Sequence, residues 1–394
     1  MEYYFSFLKK ILLLLLLASL TACASNTQFA EYTVSPVKHN AKPIHKVFFS
    51  GGIWSDIRED FSLPDLSSHP AVKKQIAFYQ RNSASLERSF LHSIPFIYYT
   101  YQETKRRGLP AELALLPILE SGYSPYDTSS VGANGLWQIM PGTARSFGLK
   151  MNAWYDGRRD TIASTRVALK YLTYLHEYCG DWLLALASYD AGEGSIQASI
   201  GRNLRTNSPI DFWSLHLPKE TEVYVPKLLA LAAILRDPER YNIALPAVEN
   251  KPYFKIVDTG SQIDLKQAAK LADMSLNELH TLNAAYRRSS TDPDGPYILL
   301  LPIDKADIFS ERWNNLPANE KVAWKEPTVI KHSIKAKNST LKKHSKSKHN
   351  FKIANKSKIK LNNKVTVHKK NKASSKKPQN IKHLAIKHTK KTRK

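Results

Sequence analysis

Two apolar segments in the middle of the chain constrain its fold more than any other feature. Residues 111–119 read Ala-Glu-Leu-Ala-Leu-Leu-Pro-Ile-Leu, and residues 182–189 are just as apolar. A helix that is apolar on most sides has to be buried, so both segments predict helices inside a core. Helical spacing also occurs at residues 161–178 and 220–235, and no strand pattern precedes Tyr253. The sequence therefore predicts a mainly α-helical domain with orthogonally packed helices.

The first apolar segment ends on a carboxylate, Glu120. An acidic side chain at a helix end is most often a solvated surface charge, and that alternative stays open on these residues alone. A carboxylate delivered beside a core has a raised pKa and stays protonated near neutral pH, which is what a general acid for glycosidic cleavage requires. Glu120 is therefore the candidate catalytic residue.

Two glycine-containing segments follow along the chain. Residues 132–141 include Gly135-Leu136-Trp137-Gln138, and residues 187–194 include Ser188-Tyr189-Asp190-Ala191-Gly192. They supply an amide, aromatic rings and hydroxyl groups next to tight turns. The composition of residues 122–161 predicts mostly loop with one short helix near 143–147, and loops are where clefts are lined. Together with Glu120, these segments predict a cleft that holds sugar.

The three motifs resemble those of the lytic transglycosylases with a lysozyme-like catalytic domain, in particular the membrane-bound lytic murein transglycosylase D group. The resemblance runs from Trp54 to Phe309 and includes Leu-Pro-Lys-Glu-Thr-Glu-Val-Tyr-Val-Pro-Lys at residues 217–227. It implies that Glu120 is the sole catalytic acid and base. It also implies a set of cleft residues that contact substrate or the carboxylate, namely Ser121, Gln138, Tyr189, Asp190 and Tyr224.

The resemblance further implies an activity. Relatives of this kind cut the β-1,4 bond between N-acetylmuramic acid and N-acetylglucosamine in peptidoglycan without water, leaving 1,6-anhydro ends, with no cofactor and no metal. From the residues alone a lysozyme-type hydrolase stays open, because only the lack of an obvious paired carboxylate argues against it. A non-catalytic scaffold that binds the cell wall is the second alternative.

Asp190 departs from the family pattern, which commonly has Asn at this position. If Asp190 lies near Glu120, like-charge repulsion should raise the pKa of Glu120 and keep it protonated to higher pH. A second carboxylate that activates water would instead turn the site toward hydrolysis.

The amino terminus has the features of an export signal. Lys9 and Lys10 precede an apolar stretch at residues 11–17, and Leu20-Thr21-Ala22-Cys23 follows. The pattern resembles a bacterial lipoprotein signal, which implies a signal peptide at residues 1–22, lipid attachment at Cys23 and an outer-membrane lipoprotein facing the periplasm. An ordinary signal peptide is the alternative. Residues 23–53 are polar and proline-punctuated and predict a tether between the membrane and a catalytic domain at residues 54–248.

The pattern changes at residues 249–309. A strand at 253–257, helices at 265–272 and 275–282, and a returning strand at 297–302 give the order β-α-α-β. This order resembles a degenerate LysM glycan-binding module, and a purely structural cap is the alternative.

Positive charge is concentrated at the carboxyl terminus. Residues 325–394 hold 24 of the 58 Lys and Arg residues and one acidic residue, Glu326. Residues 310–394 therefore predict a disordered tail. We expect it to adhere to anionic wall or lipid headgroups, or to act as a solvated spacer. Specific nucleic-acid binding is not expected, and the six tail histidines, from His332 to His388, lack the fixed spacing of a metal site.

Overall fold

The computed structural model describes residues 51–321 of the 394-residue chain. The predicted signal peptide, the lipidation site Cys23, nearly all of the tether at residues 23–53 and the tail from residue 322 onward lie outside the described residues. Within residues 51–321, no helix has both the length and the apolar character needed to cross a bilayer.

The amino-terminal part of the described chain is helical, which confirms the predicted fold class. Its helices are α1 Ile53–Glu59, α2 Pro70–Arg81, α3 Ser83–Ser93, α4 Ile97–Arg106, α5 Leu116–Ser121, α6 Pro141–Ser146, α7 Thr161–Cys179, α8 Trp182–Ala191, α9 Glu193–Arg205 and α10 Lys219–Arg236. Short 3₁₀ segments occupy Ala111–Leu115 and Phe212–Ser214. Helix α9 had no counterpart in the sequence analysis.

Helices α7 and α8 begin at side chains that cap their first turns, and α7 ends at a glycine. The Asp160 carboxylate accepts a hydrogen bond from the backbone N–H of Ala163 at 2.6 Å and starts α7, and Asp181 does the same for α8 with Leu184 at 2.9 Å. Gly180 ends α7 in the left-handed region, at φ 72°. The apolar stretch of α8 from Leu183 to Ser188 is buried, as the sequence predicted, and α8 packs against α7 and α10.

The segment that leads to Glu120 is not one helix. The sequence predicted a helix that starts beside Pro110, but Ala111–Leu115 forms a 3₁₀ segment and the α-helix begins only at Leu116. Pro117 is the reason, because its ring excludes a continuous α-helix through this point but suits the first turn of a new one. Glu120 therefore lies near the end of a short helix, α5.

Residues 254–302 form the predicted β-α-α-β unit. Strands β1 Phe254–Asp258 and β2 Ile298–Pro302 pair antiparallel, with Phe254 opposite Pro302 and Asp258 opposite Ile298. Helices α11 Leu265–Leu271 and α12 Leu276–Leu282 connect them. This unit with the helix that follows it is called the module below.

The sequence boundary at residue 309 is wrong. Helix α13 runs Ile303–Asn315 and a 3₁₀ segment follows at Ala318–Glu320, so residues just after 309 are folded. Ala306, Phe309 and Trp313 share one helix face, and all three are buried in the module core. The indole N–H of Trp313 donates to the Thr259 carbonyl at 3.0 Å.

The module packs directly on the helical domain. Tyr155 belongs to the hydrophobic cluster of the module, with its ring centroid 5.5 Å from that of Tyr286. The backbone N–H of Asp156 donates to the Ala285 carbonyl at 2.9 Å. Lys150 pairs with the fully buried Asp292 carboxylate at 2.9 Å. Residues 150–156 are therefore shared between the two cores.

Candidate active site

Glu120 lies where helix α5 ends, two residues before a left-handed turn at Gly122, φ 58°. The Tyr224 hydroxyl, which comes from helix α10, donates a hydrogen bond to Oε1 of Glu120. Burial raises the pKa of Glu120 to about 8, the Tyr224 hydrogen bond opposes this shift, and the Asp190 and Glu220 carboxylates add to it. A carboxyl group with this pKa is mostly protonated at neutral pH.

Other buried carboxylates have structural partners. The Glu112 carboxylate accepts hydrogen bonds from the backbone N–H groups of Ser62 and Leu63 at 3.2 and 3.0 Å. These bonds hold the loop that follows helix α1 against the core. Asp160 caps helix α7 and accepts from the Tyr155 hydroxyl at 2.6 Å. Glu120 differs from both, because a phenol donates to its carboxylate and no backbone N–H within residues 51–321 does. Among residues 51–321, no group of three or more His, Cys, Asp or Glu side chains is placed to hold a metal ion.

Ser121 and Gln138 hold the neighbouring loop. The Ser121 hydroxyl lies 3.0 Å from the Leu136 carbonyl and 3.3 Å from the Pro117 carbonyl, so its proton is used within the protein. The Gln138 amide nitrogen donates to the carbonyls of Asp127 and Gly135 at 3.1 and 2.9 Å. The Gln138 amide oxygen is then the acceptor that this side chain can offer to substrate.

Tyr189 and Tyr224 approach Glu120 from two helices. The Tyr189 hydroxyl donates to the Trp137 carbonyl at 2.8 Å, which ties helix α8 to the loop that carries Gln138. Burial raises the pKa of both phenols well above the ordinary value, and the Glu120 carboxylate raises them further. Both tyrosines therefore remain neutral hydrogen-bond donors at the pH at which Glu120 titrates.

Asp190 lies near Glu120, as the matched motifs implied. Burial raises the pKa of Asp190, the Thr221 hydroxyl opposes the shift by hydrogen bonding, and Glu220 adds to it. Its charge is one of the causes that raise the pKa of Glu120.

Two cavities lie beside residues of the candidate site, and Glu120 itself lines neither. One, of about 350 Å³, is lined by Gln138, Tyr189 and Asp190, with Tyr171 and Met140 in its wall. The other, of about 220 Å³, is lined by Leu119, the residue before Glu120, and by Tyr79 and Lys227. The cavity of about 350 Å³ is the candidate cleft, because its lining residues Tyr189 and Asp190 interact electrostatically with Glu120.

The sequence analysis missed the residues that hold the loop of Gln138. Arg158 forms a two-point ion pair with Asp156, at 2.9 and 2.7 Å, and donates to the Gly132 carbonyl at 2.6 Å. Gly135 is required at its position because a Cβ atom would lie 2.0 Å from the Arg158 carbonyl oxygen. Since Asp156 also bonds to the module through its backbone, the module supports the wall of the cleft. Arg158 lies in none of the three motifs, so the sequence did not predict this role.

Comparison with known proteins agrees with this geometry. Residues 97–209 match the transglycosylase SLT domain, and residues 253–318 match the LysM-like domain of lytic transglycosylase MltD. Membrane-bound lytic murein transglycosylase D of Escherichia coli K12 is 37% identical over 262 residues, which cover 66% of this chain and 58% of the relative. The chain therefore contains a transglycosylase SLT domain and a LysM-like domain of the MltD type.

Two further similarities are more restricted. The soluble lytic murein transglycosylase of E. coli K12 is 30% identical over 139 residues, which cover 34% of this chain and 22% of that protein. The chain is also similar to the solved structure of an inactive mutant of lytic transglycosylase Slt from Pseudomonas aeruginosa, with 27% sequence identity and a TM-score of 0.28. The aligned part covers 38% of this chain and 25% of the Slt chain. The chain thus spans less than two thirds of the length of these relatives.

The two domain matches confirm the resemblance to lytic transglycosylases that the three motifs indicated. The LysM-like match continues to residue 318. It therefore agrees with the structure that helix α13 belongs to the module and that the boundary at residue 309 was placed too early.

Proposed function

We propose that this protein is a peptidoglycan lytic transglycosylase that cuts the β-1,4 bond between N-acetylmuramic acid and N-acetylglucosamine and leaves 1,6-anhydro ends. The observation that carries the proposal is Glu120, a carboxyl group with a pKa of about 8 that accepts a hydrogen bond from the Tyr224 hydroxyl and lies near two residues of the candidate cleft, Tyr189 and Asp190. The non-hydrolytic outcome is that of the lytic transglycosylases, whose SLT domain residues 97–209 match.

Glu120 acts first as an acid. Because the Tyr224 hydroxyl donates to Oε1, the oxygen left to carry the proton is Oε2. That proton passes to the glycosidic oxygen as the bond to the muramic acid anomeric carbon breaks, so the leaving sugar departs as a neutral alcohol. The substrate's own acetamido oxygen holds the cationic carbon, and Glu120 is left as a carboxylate that accepts the Tyr224 hydrogen bond.

The same residue then acts as a base. The Glu120 carboxylate removes the proton of the muramic acid 6-hydroxyl, whose oxygen attacks the anomeric carbon and closes the 1,6-anhydro ring. The acetamido oxygen is released and Glu120 regains its proton, so the cycle consumes no water. Gln138 and Tyr189 position the sugar and the loop around it.

The rival function is hydrolysis with Asp190 as a second carboxylate. The family commonly has Asn at this position, which cannot act as a base but offers an acceptor in the same place, so Asp190 is better explained as an electrostatic neighbour than as a base that activates water. Mass analysis of the fragments released from purified sacculi separates the two, because an anhydro end is lighter than a reducing end by one water molecule. Reducing ends as the main product would refute the proposal.

A catalytic role for Glu120 is tested by Glu120→Gln. The amide has nearly the same shape but cannot donate the proton, so turnover should fall by at least about 100-fold. Circular dichroism and thermal unfolding should remain close to wild type at acidic pH. Release of fragments at nearly the wild-type rate would show that the acid is elsewhere.

We also propose that Cys23 carries a lipid and that the enzyme faces the periplasm from the outer membrane. The proposal is supported by the lysine pair, apolar stretch and Leu-Thr-Ala-Cys sequence at the amino terminus, and the E. coli relative is described as membrane-bound. In cells that make the full chain, Cys23→Ser should move the protein out of the membrane fraction. An unchanged membrane fraction would refute lipid attachment.

For the basic tail we propose adhesion to anionic surfaces of the wall or membrane. The support is its charge, since 24 Lys and Arg stand against one acid in residues 325–394. Deletion of these residues should weaken sacculus binding at low salt and have little effect at high salt. Equal binding at low salt would favour a solvated spacer.

A further inference from the structure

Helix α7 carries three tyrosines on one face. Tyr171, Tyr174 and Tyr178 are spaced three and four residues apart, so they lie above one another along the helix. Their ring centroids are 6.3 and 6.0 Å apart, with ring planes inclined by 14° and 16°. These three residues are called the tyrosine row.

The tyrosine row starts in the candidate cleft. Tyr171 lines the cavity of about 350 Å³ together with Gln138 and Tyr189. The Tyr171 ring lies 5.7 Å from the ring of Tyr189, the residue that bonds to the loop beside Glu120. From Tyr171 the row therefore leads away from the acid along helix α7.

The outer end of the row is open to solvent. Tyr174 is 42% exposed and Tyr178 is 49% exposed, so neither serves to fill the core. Nearly parallel rings with centroids 6 Å apart are strongly offset, and each leaves part of its face uncovered by the next. A contiguous exposed aromatic surface of this kind is typical of a binding site.

The chemistry of the row suits a sugar chain. A pyranose ring has an apolar C–H face with hydroxyl groups around its edge, and tyrosine offers an apolar ring with a hydroxyl at its tip. The row is one ring wide and begins at Tyr171 in the wall of the cavity of about 350 Å³, so a long occupant of that cavity can continue over it.

We propose that the tyrosine row is an outer glycan-binding platform, which holds the sugar units of a long strand beyond those at Glu120. The inference rests on the proposed function and adds a preference for long strands over short fragments. Binding energy far from the reacting bond is the same in ground and transition states, so it lowers KM without changing kcat.

The test uses the full chain with Tyr174→Ala and Tyr178→Ala combined. With long uncross-linked glycan strands, KM should rise roughly 3- to 10-fold at unchanged kcat, the scale expected for losing two exposed aromatic contacts. With a tetrasaccharide, whose units are expected to fill the sites next to Glu120, both constants should stay at wild-type values. The double Phe variant keeps the rings and should retain long-strand KM.

Leu204→Ala is the control for loss of an exposed apolar side chain. Leu204 is 62% exposed near the end of helix α9 and lines neither of the two cavities described above, nor does it belong to the module. Unchanged KM of the double Ala variant on long strands would overturn the platform, and so would an equal loss on strands and tetrasaccharide, which would indicate damage to the fold. Failure of the proposed function is distinguishable, because wild-type protein would then release no anhydro ends from either substrate.

Discussion

Removal of the Tyr224 hydroxyl should change the acidity of Glu120. Tyr224→Phe keeps the buried ring but deletes the hydrogen bond to Oε1 of Glu120. This bond favours the ionised carboxylate and opposes burial, which together with nearby charges brings the pKa to about 8. A hydrogen bond to a charged group contributes about 1.5–3 kcal/mol, and one pKa unit corresponds to about 1.4 kcal/mol. The pKa of Glu120 should therefore rise by about 1–2 units.

The assay is the pH dependence of kcat/KM, with soluble glycan strands as substrate. Its alkaline limb reports loss of the acidic proton in the free enzyme and should move to higher pH by about 1–2 units. The rate at neutral pH should fall roughly 10- to 100-fold, because the carboxylate that develops in the transition state loses a donor. The variant would thus work more slowly but over a wider alkaline range.

Tyr189→Phe is the control, because the Tyr189 hydroxyl donates to the Trp137 carbonyl at 2.8 Å and not to Glu120. It should leave the alkaline limb in place even if the rate changes. The reasoning is refuted if Tyr224→Phe does not move the limb, or if both variants move it equally.

Three further predictions use the same measurements. Asp190→Asn removes a charge that raises the pKa of Glu120, so the alkaline limb should shift to lower pH while the products remain anhydro-ended. Arg158→Ala leaves Asp156 without its ion-pair partner and should cost about 3–5 kcal/mol of unfolding free energy, with Arg158→Lys losing less in urea titrations. Because the pKa of Glu120 is about 4.5 in the unfolded chain and about 8 in the folded protein, this carboxyl ionises at lower pH in the unfolded chain. The unfolding free energy of wild type should therefore fall between about pH 4.5 and 8. Glu120→Gln should lack this loss and be more stable than wild type at pH 8, by at most about 4–5 kcal/mol.

Much of the local structure could be predicted because it depends on neighbouring residues. The spacing of apolar residues predicted α7, α8 and α10, and the capping residue Asp160 and the left-handed Gly180 bound α7 at its two ends. The same reasoning failed at residues 111–121, where the effect of Pro117 was overlooked, and at α13, whose apolar face is short and lies next to a polar tail.

The sequence by itself determined the mainly helical fold, the β-α-α-β module, the family and the candidate acid, because helical spacing and short motifs are written in adjacent residues. The resemblance implied that Tyr224 lies at this carboxylate, and only the tertiary structure decided how far the acid is buried and what holds the loop beside it. The Tyr224 hydroxyl bonds to Glu120, although the two residues are 104 positions apart in the sequence. Arg158 bonds to the loop that carries Gln138, and the module also supports this loop. Such contacts, and the pKa they set, depend on how whole helices pack against each other, which no local pattern of residues encodes.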